Sequence, residues 1–314
     1  MAGTAHAMAR SQGKAHRFGG DWTTAKLEVL AGYLRSYTTA LKDKPSRNRP
    51  FVKTYIDAFA GTGYREGRHV APGDGGSSRL LLPDLAQQEP QDLLDGSARI
   101  ALKTQPPFDN YLFIERSEAR CEDLETLRGE FPELTSAIRI RRGEANAEIQ
   151  DLCKGDWRSR SAVLFLDPYG MQVEWETIAA VAGTKAIDTW ILFPLGIGVN
   201  RLLTRSGDIP ESWRRCLDGL FGTPDWFDEF YRVERTSTLF GHEEETIKRA
   251  SKDTIGRYFV SRLRSVFPAV SERPLVLSNS SNCPLYLLCF AASNERGAPI
   301  ALRIANHLLS KGME

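Results

Sequence analysis

The sequence predicts an open, mostly parallel α/β sheet with helices on both faces. Three observations predict it. Short apolar runs alternate with stretches of helical periodicity, as in a sheet whose strands are joined by crossover helices. Two of the runs, AVLFLDPYG (162–170) and DTWILFPLG (188–196), are apolar without alternation, as strands covered on both faces should be. The runs through Tyr55, Tyr111 and Ala162 each stop at a carboxylate, Asp57, Glu115 and Asp167 respectively.

Composition narrows the class. A chain of 314 residues, 41% hydrophobic and 26% charged, can bury an ample core in one large domain or two small ones. A net charge of +1 excludes a global basic field for nucleic acid but leaves room for a local patch. The five cysteines (121, 153, 216, 283, 289) show no CxxC spacing, which fits free thiols of a reducing cytoplasm better than disulfides or zinc. No apolar run reaches the roughly 18 residues of a membrane span.

Each element follows in order. The first 20 residues carry Arg10, Lys14 and Arg17, no acid and no apolar signal core, and read as a disordered tail or a basic arm. Leu27, Leu30 and Leu34, with Val29, Tyr33 and Tyr37 beside them, give a helix from about Thr23. KDKPSRNRP ends it, and FVKTYIDAFA is the first strand. The Gly- and Pro-rich stretch 64–95 is a long loop, either a lid or acceptor-binding loop or a tolerated surface insertion. A short helix starts near Ser97, NYLFIE (110–115) is the second strand, and a helix covers 121–131. A third strand lies in AIRIRRGEAN, a helix starts at Ala147, and the fourth strand is AVLFLDPYG. Another helix covers 175–181, and DTWILFPLG is the fifth strand. Residues 200–270 read as a helical insertion, its largest part a long helix from His242 to Phe267. PLYLLCFAASN (284–294) is a last strand and RGAPIALRIANHLL a closing helix. Residues 21–314 thus form one Rossmann-like domain.

Ligands of such a sheet bind outside the carboxyl ends of its strands. Asp57, Glu115, Glu144 and Asp167 stand there, one per strand for four consecutive strands. The glycine turn after the first strand does not fit a dinucleotide. Gly61 and Gly63 are followed by Glu66 where that fingerprint needs a third small residue, and no helix follows to seat a pyrophosphate. A cofactor without phosphates suits the pattern better. DPYG (167–170) on its own chemistry ends a strand in a tight turn.

DAFAGTG, FIE, GEAN and DPYG resemble the motifs of class I S-adenosylmethionine (SAM) methyltransferases over about 51–195. The resemblance implies that Asp57, Phe59, Ala60, Gly61 and Gly63 cradle the amino-acid part of SAM. It implies that Glu115 accepts the ribose hydroxyls and that Glu144 and Ala145, with Asn146 nearby, face the adenine. Asp167, Pro168 and Tyr169 would meet the acceptor, Asp167 also bordering the cofactor. Adenine-N6 enzymes carry D/N-P-P-Y/F, whereas DPYG is more similar to the variant of tRNA guanine-N2 dimethyltransferases. Over its whole length, through WTTAKLEVLAGYL, YIDAFAGTG, GSARIAL, NYLFIE, FLDPYG, WILFPLG and PLYLLCFAASNERGAPIALRIA, the chain resembles the three-Cys-motif partner (TcmP) family of bacterial proteins. The four ordered strand-end carboxylates and the phosphate-poor glycine turn lead to the expectation of a cytoplasmic, SAM-dependent methyltransferase acting on an RNA or DNA base amine. The alternative, which the family resemblance implies, is an inactive methyltransferase-like module that works with an iron–sulfur three-Cys-motif protein.

Overall fold

The computed structural model describes residues 21–44, 51–61, 96–238 and 241–312. The expected tail (1–20) and long loop (64–95), with Gly63, Glu66 and the loop's arginines, lie outside the described residues. The elements run α1 (Asp21–Ala40), β1 (Val52–Asp57), α2 (Ser97–Lys103), β2 (Asn110–Glu115), α3 (Glu118–Gly129) and β3 (Ile138–Arg142). They continue as α4 (Ala145–Cys153), β4 (Arg160–Leu166), α5 (Trp175–Gly183) and β5 (Ile187–Phe193). After a π-helical turn at Leu195–Val199 come α6 (Asn200–Leu202), α7 (Glu211–Phe221), α8 (Trp226–Phe230), β6 (Tyr231–Thr238) and β7 (Gly241–Lys248). Last are α9 (Lys252–Arg264), β8 (Ala269–Val270), β9 (Leu275–Ser278), β10 (Pro284–Ala292) and α10 (Ala298–Lys311).

The first five strands are parallel, in the order β3-β2-β1-β4-β5, and β10 joins β5 antiparallel, with β8 and β9 pairing along it. The mostly parallel Rossmann-like sheet is therefore present. Successive side chains of each strand go to opposite faces, which splits the core in two. Ile56, Leu164 and Leu166 pack with α4, α5, α7 and α9 on one face. Tyr55, Val163, Phe165 and Trp190 pack with α1, α2, α3 and α10 on the other. That is why β4 and β5 read as unbroken apolar runs.

The α1 face also holds polar contacts. The Tyr33 hydroxyl donates to Asp188 Oδ2 at 2.6 Å, and the Tyr37 hydroxyl bonds Ser161 Oγ at 2.5 Å. Burial pushes the Asp188 carboxyl up to about 6, with the Tyr33 bond opposing the rise. Burial, and then the Asp188 charge, hold the Tyr33 hydroxyl well above its ordinary value. An apolar stripe alone would let α1 slide along the sheet; buried bonds of this kind fix its register.

One expectation fails. The region 200–270 is not wholly helical: β6 and β7 form an antiparallel hairpin, with Tyr231 opposite Lys248 and Thr238 opposite Gly241. Residues His242 to Lys248, read as the start of a long helix, are its second strand. Two local causes explain the difference. One opposite-charge pair faces across the ladder, Arg235 2.7 Å from Glu244, and such a cross-strand pair stabilises a hairpin. Ser251 is a better helix start than His242, because its hydroxyl accepts from Thr254 N–H. The apolar stripe Ile255, Phe259, Leu263 then begins inside α9 and is fully buried.

Candidate functional site

The sheet order reverses between β1 and β4, which is where an open α/β sheet leaves a crevice at its carboxyl edge. Asp57 ends β1 and pairs in register with Phe165 of β4, so Asp167 follows two residues beyond. Glu115 ends β2, and Glu144 follows β3 by two residues. The four carboxylates named from the sequence are thus on one edge.

The turn after β1 is pinned on both sides. Ala58 N–H donates to the Phe165 carbonyl and Ala60 N–H to the Ile114 carbonyl. Phe59 leans into the α4/α5 core while Ala60 is buried in the α1 core, so the turn straddles the sheet. Gly61 has φ +60°, a left-handed conformation that side chains other than glycine rarely adopt. Its N–H donates to Glu115 Oε2 at 3.1 Å.

Glu115 is buried, and its other oxygen accepts from Arg116 and Ser117 N–H at 2.8 and 2.9 Å. Of the roughly four acceptor positions of a carboxylate, three are taken by backbone. Receiving two ribose hydroxyls therefore requires the Gly61 N–H to let go. The Arg120 guanidinium of α3 stands 3.9 Å from Glu115 and 5.5 Å from the Tyr169 ring, linking the β2 end to the β4 end.

Asp57 is fully buried. Its Oδ1 accepts from Phe59 N–H and its Oδ2 from the Tyr55 hydroxyl, at 3.3 and 3.1 Å. Burial pushes its carboxyl up to about 6. The Ser97 hydroxyl pulls it back, the nearby Asp167 charge adds to the rise, and the Phe59 and Tyr55 bonds oppose it.

Glu144 caps α4. Its oxygens accept from Asn146 and Ala147 N–H at 3.0 and 2.9 Å, which satisfies two otherwise orphaned helix donors. Ala145, one residue on, is buried in the α4/α5 core. Asn146 is a brace and does not present its amide to the crevice. It donates to Glu144 and to the Gln172 carbonyl, and accepts from Glu174 N–H and the Thr177 hydroxyl. It ties the β3 end to the loop after β4.

DPYG follows β4. Pro168 is buried, Tyr169 is half-buried with its N–H donating to Gln172, and Gly170 closes the turn at φ +81°. The motif is both a tight turn and a platform beside Asp57. Asp167 meets a residue the sequence reading overlooked. Lys26 of α1 donates to its Oδ2 at 2.5 Å, with a side chain only 7% exposed. Nothing in the helical pattern of α1 marks Lys26 apart from a charge on the apolar side.

A groove of about 530 Å³ lies elsewhere, at the opposite edge of the sheet between Trp157, Arg160, Lys185 and Arg296. It is shallow and its charges are largely matched in place, Arg158 by Asp156 and Lys185 by Glu295. The carboxylate edge is the better candidate, because Asp57 and Glu115 are buried there and Asp167 and Glu144 stand on the same edge. Among the described residues no three His, Cys, Asp or Glu side chains could hold a metal ion.

No protein-family model and no curated protein matches the chain. Solved structures give a likeness of arrangement. A Legionella pneumophila protein of family DUF519 is 13% identical, covers 78% of this chain and 90% of its own, and has a TM-score of 0.39. Magnesium protoporphyrin IX methyltransferase from Synechocystis, with bound SAM, is 11% identical over 76% and 86%, with a TM-score of 0.31. SAM-bound fibrillarin from Aeropyrum pernix is 12% identical over 69% and 75%, with a TM-score of 0.27. At such values the reading of the site rests on this chain's own residues.

Proposed function

We propose that this chain is a SAM-dependent methyltransferase whose acceptor is a base amine of RNA or DNA. One observation carries the reading: the crevice between β1 and β4 gathers a left-handed glycine turn and three carboxylates, buried Asp57 and Glu115 on one side and half-buried Asp167 on the other. The donor set fits a cationic, hydroxyl-bearing cofactor without phosphates. Asp57, Phe59, Ala60 and Gly61 would hold its amino-acid part, with Gly63 beyond the described turn. Glu115 would take a ribose hydroxyl, and Glu144 and Ala145 would border its base.

When bound, SAM supplies an electrophilic methyl on a sulfonium, and transfer is an in-line displacement. Catalysis is then mostly a matter of holding the nucleophile in line. An exocyclic amine is a weak nucleophile because its lone pair is delocalised into the ring. Asp167 and the Pro168 carbonyl can accept its two N–H bonds and favour the tetrahedral nitrogen that attacks. Tyr169 offers a face on which an extruded base can stack.

The free thiols of all five cysteines support a cytoplasmic protein. Among the described residues no helix is long and apolar enough to cross a membrane. Calorimetry with SAM and S-adenosylhomocysteine tests the cofactor step, and absence of binding at millimolar ligand sinks it. Labelled SAM incubated with host RNA, DNA and protein fractions tests the acceptor. Cofactor binding without label in any fraction, together with co-purification of a three-Cys-motif iron–sulfur protein, would instead mark the chain as a binding module.

A further inference from the structure

Lys26, itself buried, forms an ion pair with half-buried Asp167 that packing alone does not account for. Removing an ammonium and a carboxylate from water is unfavourable, and well-packed apolar residues of similar volume are often as stable. The ammonium is also enclosed: it stands 5.4 Å from the Trp22 ring centre and 5.9 Å from that of Phe165, with Trp22 stacked in turn on Tyr286 at 5.0 Å. A lysine with its stem in an aromatic slot and its charge on one oxygen has little freedom to point elsewhere. Among the described residues Oδ2 is the oxygen that Lys26 holds, while neither Asp167 Oδ1 nor the Pro168 carbonyl accepts a hydrogen bond.

We propose that Lys26 is the positioning residue of the acceptor side: it fixes the Asp167 carboxylate so that Oδ1 and the Pro168 carbonyl together form a two-acceptor clamp for a primary exocyclic amine. The inference rests on the methyl-transfer reading and deepens it. It selects an acceptor with two N–H bonds over a hydroxyl or a thiol, each of which brings one. It also selects against an anionic oxygen, which the free carboxylate oxygen would repel. In the step itself the amine nitrogen forms a bond to the methyl carbon as the carbon–sulfur bond breaks, the electron pair leaving on sulfur. The nitrogen then carries one proton too many, which it loses to Asp167 Oδ1 or to water. Lys26 touches neither reacting atom. Its contribution is to hold the angle of the carboxylate, and a shift of about 1 Å in such a group lowers turnover by about a hundredfold.

The test uses the full chain with Lys26→Met and Lys26→Arg, labelled SAM, and total RNA and genomic DNA from the host. Lys26→Met should lower turnover about a hundredfold with SAM affinity nearly unchanged and the protein folded at the assay temperature, though with a lowered melting temperature because Asp167 loses its partner, and Lys26→Arg should recover much of the turnover. Undiminished turnover in Lys26→Met, or equal loss in both variants with normal folding, overturns the proposal. A second measurement reads the pair without any acceptor. Coupling of glycinamide to Asp167 by a water-soluble carbodiimide, followed by peptide mass mapping, should be severalfold faster in Lys26→Met than in the wild-type protein. If the wild-type protein labels neither nucleic acid, the methyl-transfer reading fails. The coupling rates then still decide whether Lys26 holds Asp167, equal rates overturning it.

Discussion

The two outer carboxylates of the sheet edge differ from the two inner ones in what holds them. Glu115 and Glu144 are fixed chiefly by backbone N–H groups, those of Arg116 and Ser117 and those of Asn146 and Ala147, all within three residues along the chain. Asp57 adds the Ser97 hydroxyl of α2 to its local bonds from Phe59 N–H and the Tyr55 hydroxyl, and Asp167 is held by Lys26 of α1. The outer pair is built by local chain geometry. The inner pair, which flanks the crevice, exists only once α1, α2, β1 and β4 have come together. Local geometry gives a rigid rim, and tertiary assembly gives the adjustable centre where chemistry belongs.

The sharpest way to break this contrast is at Asp167. Asp167→Asn should lower methyl transfer by about a hundred- to a thousandfold with SAM affinity little changed, as read by single-turnover labelling beside calorimetry. A large loss of affinity would put Asp167 on the cofactor and erase the division between rim and centre. Next comes Glu115→Gln, which keeps an acceptor for Arg116 and Ser117 N–H but turns an amide donor toward Gly61 N–H. SAM affinity should fall about ten- to a hundredfold, and unchanged affinity would remove Glu115 from the cofactor.

Asp57 gives a pH signature. In the free protein burial favours its neutral form. Its contribution to stability is therefore complete below the ordinary carboxylate range and is lost as pH rises through about 6. A cationic ligand group beside it favours the charged form. SAM affinity should therefore rise with pH, by up to about tenfold per unit, until it levels off near 6. A flat profile between pH 5 and 7 (about one unit either side of that value) would show that Asp57 shapes the turn without meeting the cofactor's charge. The smallest effect belongs to Glu144→Ala, which should destabilise the protein by about 1 kcal/mol through the α4 cap, measured by urea unfolding. SAM affinity should fall only severalfold once the protein is folded, since Glu144 would border the cofactor's base, and unchanged affinity would leave Glu144 a helix cap alone.

The same contrast separates what the sequence made legible from what it hid. Strand-end acids are visible because a β-strand announces itself by its apolar run and its last residue is then known. Asp57, Glu115 and Asp167 were placed that way, and the left-handed Gly61 follows from the turn chemistry of AGTG. Asn146 reads only as a neighbour of the adenine site, because three of its side-chain bonds, to Gln172, Glu174 and Thr177, are contacts across 26 to 31 residues, beside the one to its own cap Glu144. Lys26 was invisible for the same reason, since one charge in a helix reads as solvated until the sheet beneath it is known. The β6–β7 hairpin was missed because Ile247, Ile255 and Phe259 keep a helical spacing across a strand, a loop and a helix. Only the Ser251 cap marks where the helix starts.

The helix that supplies Lys26 leads the described part of the chain, and its charge partner lies 141 residues later, with the Tyr33 partner Asp188 later still at 155. During synthesis α1 is therefore made long before either carboxylate exists, and its apolar face must wait without a sheet to dock on. The Asp167 side of the crevice can form only after β4 has left the ribosome. A nascent chain stalled before that strand would carry the glycine turn and the Glu115 rim but no ordered place for an acceptor.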